Sequence, residues 1–206
     1  MAEITRKELI LLLAAVPDRA CGKNEKLIRL AGVDLSGLDL SGLNLSHADF
    51  AGANLRGCDL SDACLRHCDF SRADLTGAIL RGVHGEQAIF MDAALPGADF
   101  RASERDVFYG THLAGANFQG ADLTDAVLAG ASLEGADFED AVLIRANLTE
   151  CGIDDCTNFE RARMAECVFD DPAAGVLDRD TDSMPLFPAL QKRSRRVGAA
   201  GRCDAA

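Results

Sequence analysis

The run ADFAG-ANLRG-CDLSD-ACLRH-CDFSR-ADLTG-AILRG, Ala48 to Gly82, repeats one unit every five residues. Take the third residue of each unit as its centre. The beat then holds from Leu35 to Phe100, and thirteen of those fourteen centres are Leu or Phe, Gly85 being the exception. It resumes in a new phase at Leu113 and runs through Phe118, Leu123, Leu128, Leu133, Phe138, Leu143 and Leu148 to Ile153. Two residues before the centre stands Ala or Cys in eighteen of the twenty-three units. The last position is Gly in eleven of them and often Asp or His elsewhere.

A period of five fits neither a helix nor a simple strand. It fits a short extended segment followed by a turn, with the centre and the small residue two before it pointing inward. The remaining positions hold Asp, Asn, Ser, Thr and Arg and face water, and Gly at the unit's end is turn chemistry. Tandem Ala-Asp-Leu-Xaa-Gly units resemble the pentapeptide-repeat family, over roughly Val33 to Asp171. The resemblance implies an all-β right-handed quadrilateral β-helix, four units to a coil.

Four units make twenty residues, so like residues should stack at that spacing. Phe50, Phe70 and Phe90 do, and so do Phe118 and Phe138. Such a ladder predicts a core of ring packed over ring. It also locates two slips. Phe90 to Phe118 is 28 residues, so eight extra residues leave the coil between Arg101 and Gly110. Phe138 to Phe159 is 21, which predicts a one-residue bulge near Asp154 to Thr157. With strands about 4.8 Å apart, roughly six and a half coils make a column about 30 Å tall.

Three segments follow from this reading: residues 1–32 as an N-terminal helical cap, 33–171 as the β-helix with its inserted loop at 101–110, and 172–206 as a partly disordered C-terminal extension. Thr5-Arg6-Lys7-Glu8 has capping-box spacing before the apolar run Leu9 to Val16, and Asn24 can cap a second short helix through Leu30. Their expected task is to close the open end of the solenoid, whose apolar cross-section invites aggregation. In the extension, Met184, Leu186, Phe187 and Leu190 are candidate dimer contacts; the basic run after Lys192 reads as a solvated tail.

Residues 33–171 hold 25 Asp and Glu against 9 Lys and Arg, a balance of −16. That argues against a nucleic-acid backbone as direct ligand. Ile10 to Val16 is too short to span a membrane, and no secretory signal is visible, so the expected setting is the cytoplasm. Cys58, Cys68, Cys151 and Cys156 fall where Ala otherwise sits and read as small buried free thiols.

No catalytic motif, cofactor site or metal site is expected; a filled solenoid offers no cleft, and the acids follow the repeat. His47 and His67 occupy equivalent corners one coil apart and predict a solvent-facing stack, not metal ligands. The insertion is different, since nothing in the coil requires it. Ser103, Glu104, Arg105, Asp106, Phe108 and Tyr109 are the candidate partner-binding loop, because loops on rigid scaffolds carry recognition.

Two functions compete. One is a non-catalytic scaffold that binds a protein partner through a stiff, acidic surface. The other is implied by the resemblance: quinolone-resistance-like members present an acidic rod to DNA gyrase as a mimic of DNA, dimerise through the C-terminal end, and in some cases carry a protective loop. A gyrase partner, a homodimer and antibiotic resistance are expectations of that second reading.

Overall fold

The unit around Phe50 satisfies all five of its backbone N–H groups, and that accounting explains the five-residue beat. In the unit around Phe50, the N–H of Phe50 donates to Asp69 in the next coil (2.8 Å) and that of Gly52 to Ser71 (2.8 Å). The N–H of Asp49 donates to Ile28 in the preceding coil (2.7 Å), and that of Ala48 closes a turn on Leu45 (3.0 Å). The fifth, on Ala51, points away from both coils and is met by the Asp49 carboxylate at 3.1 Å. A polar residue before the centre is therefore a turn cap, and Asn serves as well as Asp: Asn54 does it for Arg56, Asn117 for Gln119 and Asn147 for Thr149. The last residue of a regular unit takes a left-handed conformation, such as Gly52 at φ 65° or His67 at φ 57°, whereas Ala102 and Asp155, at the two slips, do not. One positive φ at the third place of a closed four-residue turn is the type II pattern.

The computed structural model describes residues 5–15, 28–103 and 110–169. Parallel pairings join residues twenty apart, from Arg29↔Asp49 through Ile79↔Asp99. Four occur per twenty residues, so each coil has four sides. The spacing becomes 28 from His84↔His112 to Asp99↔Val127, returns to 20 at His112↔Ser132, and becomes 21 at Asp137↔Asn158. Both slips thus lie where the Phe ladder predicts them. At the second, Asp154 builds the bulge. Its Oδ1 accepts from the N–H groups of Gly135 (2.9 Å), Cys156 (3.0 Å) and Thr157 (2.9 Å), replacing the carbonyl that Gly135 would otherwise meet in the ladder.

The four sides are named here by their centres. The Phe face holds Leu30, Phe50, Phe70, Phe90, Phe118, Phe138 and Phe159. Following the chain around a coil come the second face (Leu35 to Met164), the third (Leu40 to Phe169) and the fourth (Leu45 to Ile153). Phe50 to Phe138 are fully buried, with successive rings 4.8–5.0 Å apart and within 4° of parallel; Phe159 extends the stack and is partly buried. Phe100 reaches from the opposite side and meets Phe90 and Phe118 edge-on, both at 6.3 Å. The coil that gains this second ring is the one with Gly85 as a centre, where Leu113 Cδ2 lies 3.0 Å from the place a Cβ would occupy.

The first coil departs from the small-residue rule. Its inward slots hold Ile28, Val33, Leu38 and Leu43, all partly buried against the core. Among the described residues no coil precedes this one, and larger side chains fill its inward slots. Helix α1 (Arg6–Ala15) opens with the expected capping box: Glu8 N–H donates to Thr5 Oγ1 (3.3 Å), and Thr5 N–H to the Glu8 carboxylate (2.8 Å). Its Leu9 is fully buried within the same core cluster. The coil begins earlier than the sequence reading placed it. Ile28 to Leu30 already pair with the next coil, which corrects the expected second helix through Leu30: Ile28-Arg29-Leu30-Ala31-Gly32 is itself a unit.

Candidate interaction surface

The interior is built mainly from Leu, Phe, Ala and Cys among the described residues. Where the small inward slot is polar, it is satisfied by one rule: Cys58 donates to the Leu35 carbonyl (2.8 Å), Cys68 to Leu45 (2.9 Å), Cys151 to Leu128 (3.1 Å) and Thr157 to Leu133 (3.0 Å). Burial pushes the Cys58 thiol up to about 11, and Cys68 and Cys167 to about 12. Protonated and walled in, they are poor nucleophiles. Cys58, Cys64, Cys68 and Cys167 are free thiols. Cys156 corrects the expectation: the one-residue bulge moves it out of the inward slot into the turn, Thr157 takes the slot, and Cys156 is disulfide-bonded.

The walls carry the charged side chains. The Phe face carries Asp49, Asp69, Asp92, Asp137, Glu139, Asp140 and Glu160 against Arg29, Arg72 and Arg161. The second face carries Asp34, Asp74, Asp122, Asp125 and Glu166 against Arg56, Arg145 and Arg163. The third carries Asp39, Asp59, Asp62, Asp99 and Glu150 against Arg81 and Arg101. The fourth carries Glu86, Glu134, Asp154 and Asp155 against Arg66. Every face is acidic, and none is a continuous acidic stripe. Arginines tie coil to coil: Arg66 forks onto Glu86 (3.0 and 2.9 Å), Arg145 onto Asp125 (2.6 Å twice), and Arg161 onto Asp140 (2.8 Å twice) with a further contact to Glu139. Asp99 is the most enclosed of these acids. Burial raises its pKa, but hydrogen bonds from Arg101 and Arg81 outweigh that and hold it at about 2.

The insertion has built roots. Ser103 is buried over Gly82, and a Cβ on Gly82 would stand 2.6 Å from the Ser103 Cβ. Thr111 is fully buried; its hydroxyl accepts from the Gly82 N–H (2.9 Å) and donates to the Arg101 carbonyl (2.9 Å). At the other root, Gly110 packs on the Gly130 carbonyl, 2.9 Å from where a Cβ would be. Glu104, Arg105, Asp106, Phe108 and Tyr109 lie outside the described residues, as do Met184, Leu186, Phe187 and Leu190.

All four histidines stand on the fourth face. His47 and His67 stack at 4.8 Å, and so do His84 and His112 at 5.2 Å. The second pair escaped the sequence reading because its spacing of 28 runs across the insertion. Among the described residues no three of His, Cys, Asp and Glu form a metal-holding group.

The model of pentapeptide repeats matches residues 28–66, 68–103, 107–143 and 121–157, in eight copies. The chain belongs to the pentapeptide-repeat family. Membership of that family implies a right-handed β-helix. Among curated proteins nothing matches. Solved structures that are similar include QnrB1, a plasmid-mediated fluoroquinolone resistance protein, at 22% identity over 71% of this chain and 86% of that one, with a TM-score of 0.36. HetL, involved in heterocyst differentiation regulation in Nostoc sp. strain PCC 7120, is 25% identical over 84% and 100%, with a TM-score of 0.23. A pentapeptide repeat protein of the Arabidopsis thaliana thylakoid lumen is 34% identical over 54% and 68%, with a TM-score of 0.21.

Proposed function

We propose that this pentapeptide-repeat protein is a non-catalytic cytoplasmic scaffold that binds a protein partner through its walls and the insertion at 101–110. One observation carries the reading. A column of interchangeable coils is interrupted once by eight residues whose roots are packed into the wall at Ser103, Gly82 and Thr111. Loops held on a rigid frame are where recognition concentrates. The buried, protonated thiols and the aliphatic and aromatic interior support a structural core in place of a catalytic one.

A mimic of DNA for gyrase needs a continuous stripe of unpaired acids. The charge arrangement supports the scaffold instead: acids are dispersed over four faces, many of the strand Asp residues cap turns, and several corner acids are held by Arg.

Excision of residues 102–109 tests the reading. Full-length and excised chains serve as matched baits for affinity capture followed by direct binding to the purified partner. The scaffold reading expects a stoichiometric partner with the first and at least tenfold weaker binding with the second. Equal binding by both removes the insertion from the proposal. A parallel gyrase supercoiling assay, with and without a quinolone, expects no effect from either chain; inhibition or rescue would instead establish the DNA-mimic reading.

A further inference from the structure

We propose that the histidine-bearing fourth face is a pH-gated docking surface for an extended acidic protein segment, closed near neutrality and opened by acidification. This deepens the scaffold reading and rests on it. Four successive coils, those centred on Leu45, Leu65, Gly85 and Leu113, each contribute one histidine to this face: His47, His67, His84 and His112. These are all the histidines of the chain. Chance would spread four residues over four faces; here they form a single band up one wall.

The charged groups around the band are few. Arg66 and Glu86 neutralise each other by a two-bonded fork inside it. Cys64 lies in the same strand column between Asn44 and His84, its Sγ 3.0 Å from Ser46 Oγ. Glu134 borders the band one coil beyond His112 and bonds Ser132. Glu104, Arg105 and Asp106 of the insertion lie outside the described residues. Among the described residues the four histidine-bearing units of this face thus carry only the paired Arg66 and Glu86 as fixed charges, while Glu134, Asp154 and Asp155 of the same face lie in the coils beyond them.

Imidazole is the side chain that gains charge between about pH 7 and pH 5. Each stack sets how many protons enter. A first imidazolium lying over a neutral ring is favoured, and a second meets like charge about 5 Å away. Burial and then His67 lower the affinity of His47 for its proton. His84 Nδ1 is buried without a hydrogen-bond partner among the described residues. Protonation of imidazole on acidification adds positive charge to the band, and a bound carboxylate favours it. The band spans four coils, about 15 Å at 4.8 Å per strand. That length suits four or five residues of extended chain. A bilayer or a nucleic acid is too broad: it would also face the acidic walls on either side, whereas a peptide confines its charge to the band.

The test uses the full chain and a labelled ten-residue aspartate peptide, followed by fluorescence anisotropy at about pH 5.5 and pH 7.5. Binding about tenfold tighter at the lower pH is expected, with net proton uptake seen by calorimetry in buffers of different ionisation heat. His47→Gln with His67→Gln keeps the corner conformation, since Gln87 occupies the same column at φ 58°. His84→Asn with His112→Asn places there the residue type of Asn44. Each double variant should lose at least about threefold of the pH effect and the quadruple variant all of it, with unchanged circular dichroism. Equal affinity at both pH values, no binding at either, or a quadruple variant that keeps the tenfold effect overturns the proposal. Tighter binding to phosphatidylserine vesicles than to the peptide also overturns it, in favour of a membrane. Excising residues 102–109 leaves this readout intact, so its failure is separable from that of the scaffold reading.

Discussion

At Asp122 the carboxylate accepts from the Thr124 N–H (3.0 Å) and hydroxyl (2.6 Å), closing the turn of its own unit. What the site requires is an oxygen at that point, not a charge. Asp122→Asn should therefore leave stability within about 0.5 kcal/mol, whereas Asp122→Ala should cost about 1 kcal/mol by stranding an amide. Thermal unfolding distinguishes them; equal losses would mean the charge itself matters. Asp99 is the opposite case, because Arg81 and Arg101 read its charge. Its folded pKa of about 2 lies below the ordinary aspartate value of 3.8, so its stabilisation is complete above about pH 4 and lost as pH falls toward 2. After solvent screening this is worth about 1 kcal/mol. Acid titration of Asp99→Asn against wild type checks it: the two should differ at pH 5 and converge near pH 2. The cap role of Asp was not legible in the sequence, where acids suggest surface charge; it emerges only once the amide after the centre, as in the Phe50 and Leu123 units, is traced to its acceptor.

The insertion is the element that the beat made legible, because a column of fixed pitch turns every extra residue into a measurable phase shift. What the beat could not show is why the roots hold. Removing residues 102–109 joins Arg101 to Gly110, giving Phe100-Arg101-Gly110 followed by Thr111-His112-Leu113, an unbroken pair of units with Gly at the turn. The excised chain is expected to fold with unchanged or slightly higher melting temperature, since loop closure costs little and is here removed. A collapse of the fold would show that the insertion is part of the core. Gly82→Ala tests the root directly. At φ 62° and with Ser103 Cβ 2.6 Å from the new methyl, it should cost about 2 kcal/mol in the native chain. In the excised chain, which lacks Ser103, the cost should fall to the backbone strain, about 1 kcal/mol, together with the small shift that the flexible Asp62 carboxylate must make, its Oδ1 lying 2.7 Å from the new methyl. A double-mutant cycle reads the difference.

For the molecule as a whole, the repeat made the middle legible and left the ends hard to read. The first unit escaped because Ile28 stands where Ala was the rule, and that exception is itself the physics of an end: the terminal coil fills its small slots with Ile28, Val33, Leu38 and Leu43. The second slip was read correctly in position, yet Cys156 was misplaced, because one extra residue shifts every later side chain by one slot. A solenoid is stable only in proportion to how its ends are closed, since each coil touches only its neighbours. Here Leu9 of α1 is fully buried in the same cluster as the first coil. Deleting residues 1–15 should therefore uncover an apolar end and its unpaired strand edges. The expected result is concentration-dependent association in light scattering and a lower melting temperature, with far-ultraviolet signal from the coils preserved. Leu9→Asp should reproduce the association in the full-length chain, because a buried carboxylate detaches the helix without shortening it. If both variants keep the assembly state and melting temperature of the native chain, the first coil closes itself and α1 is not the cap.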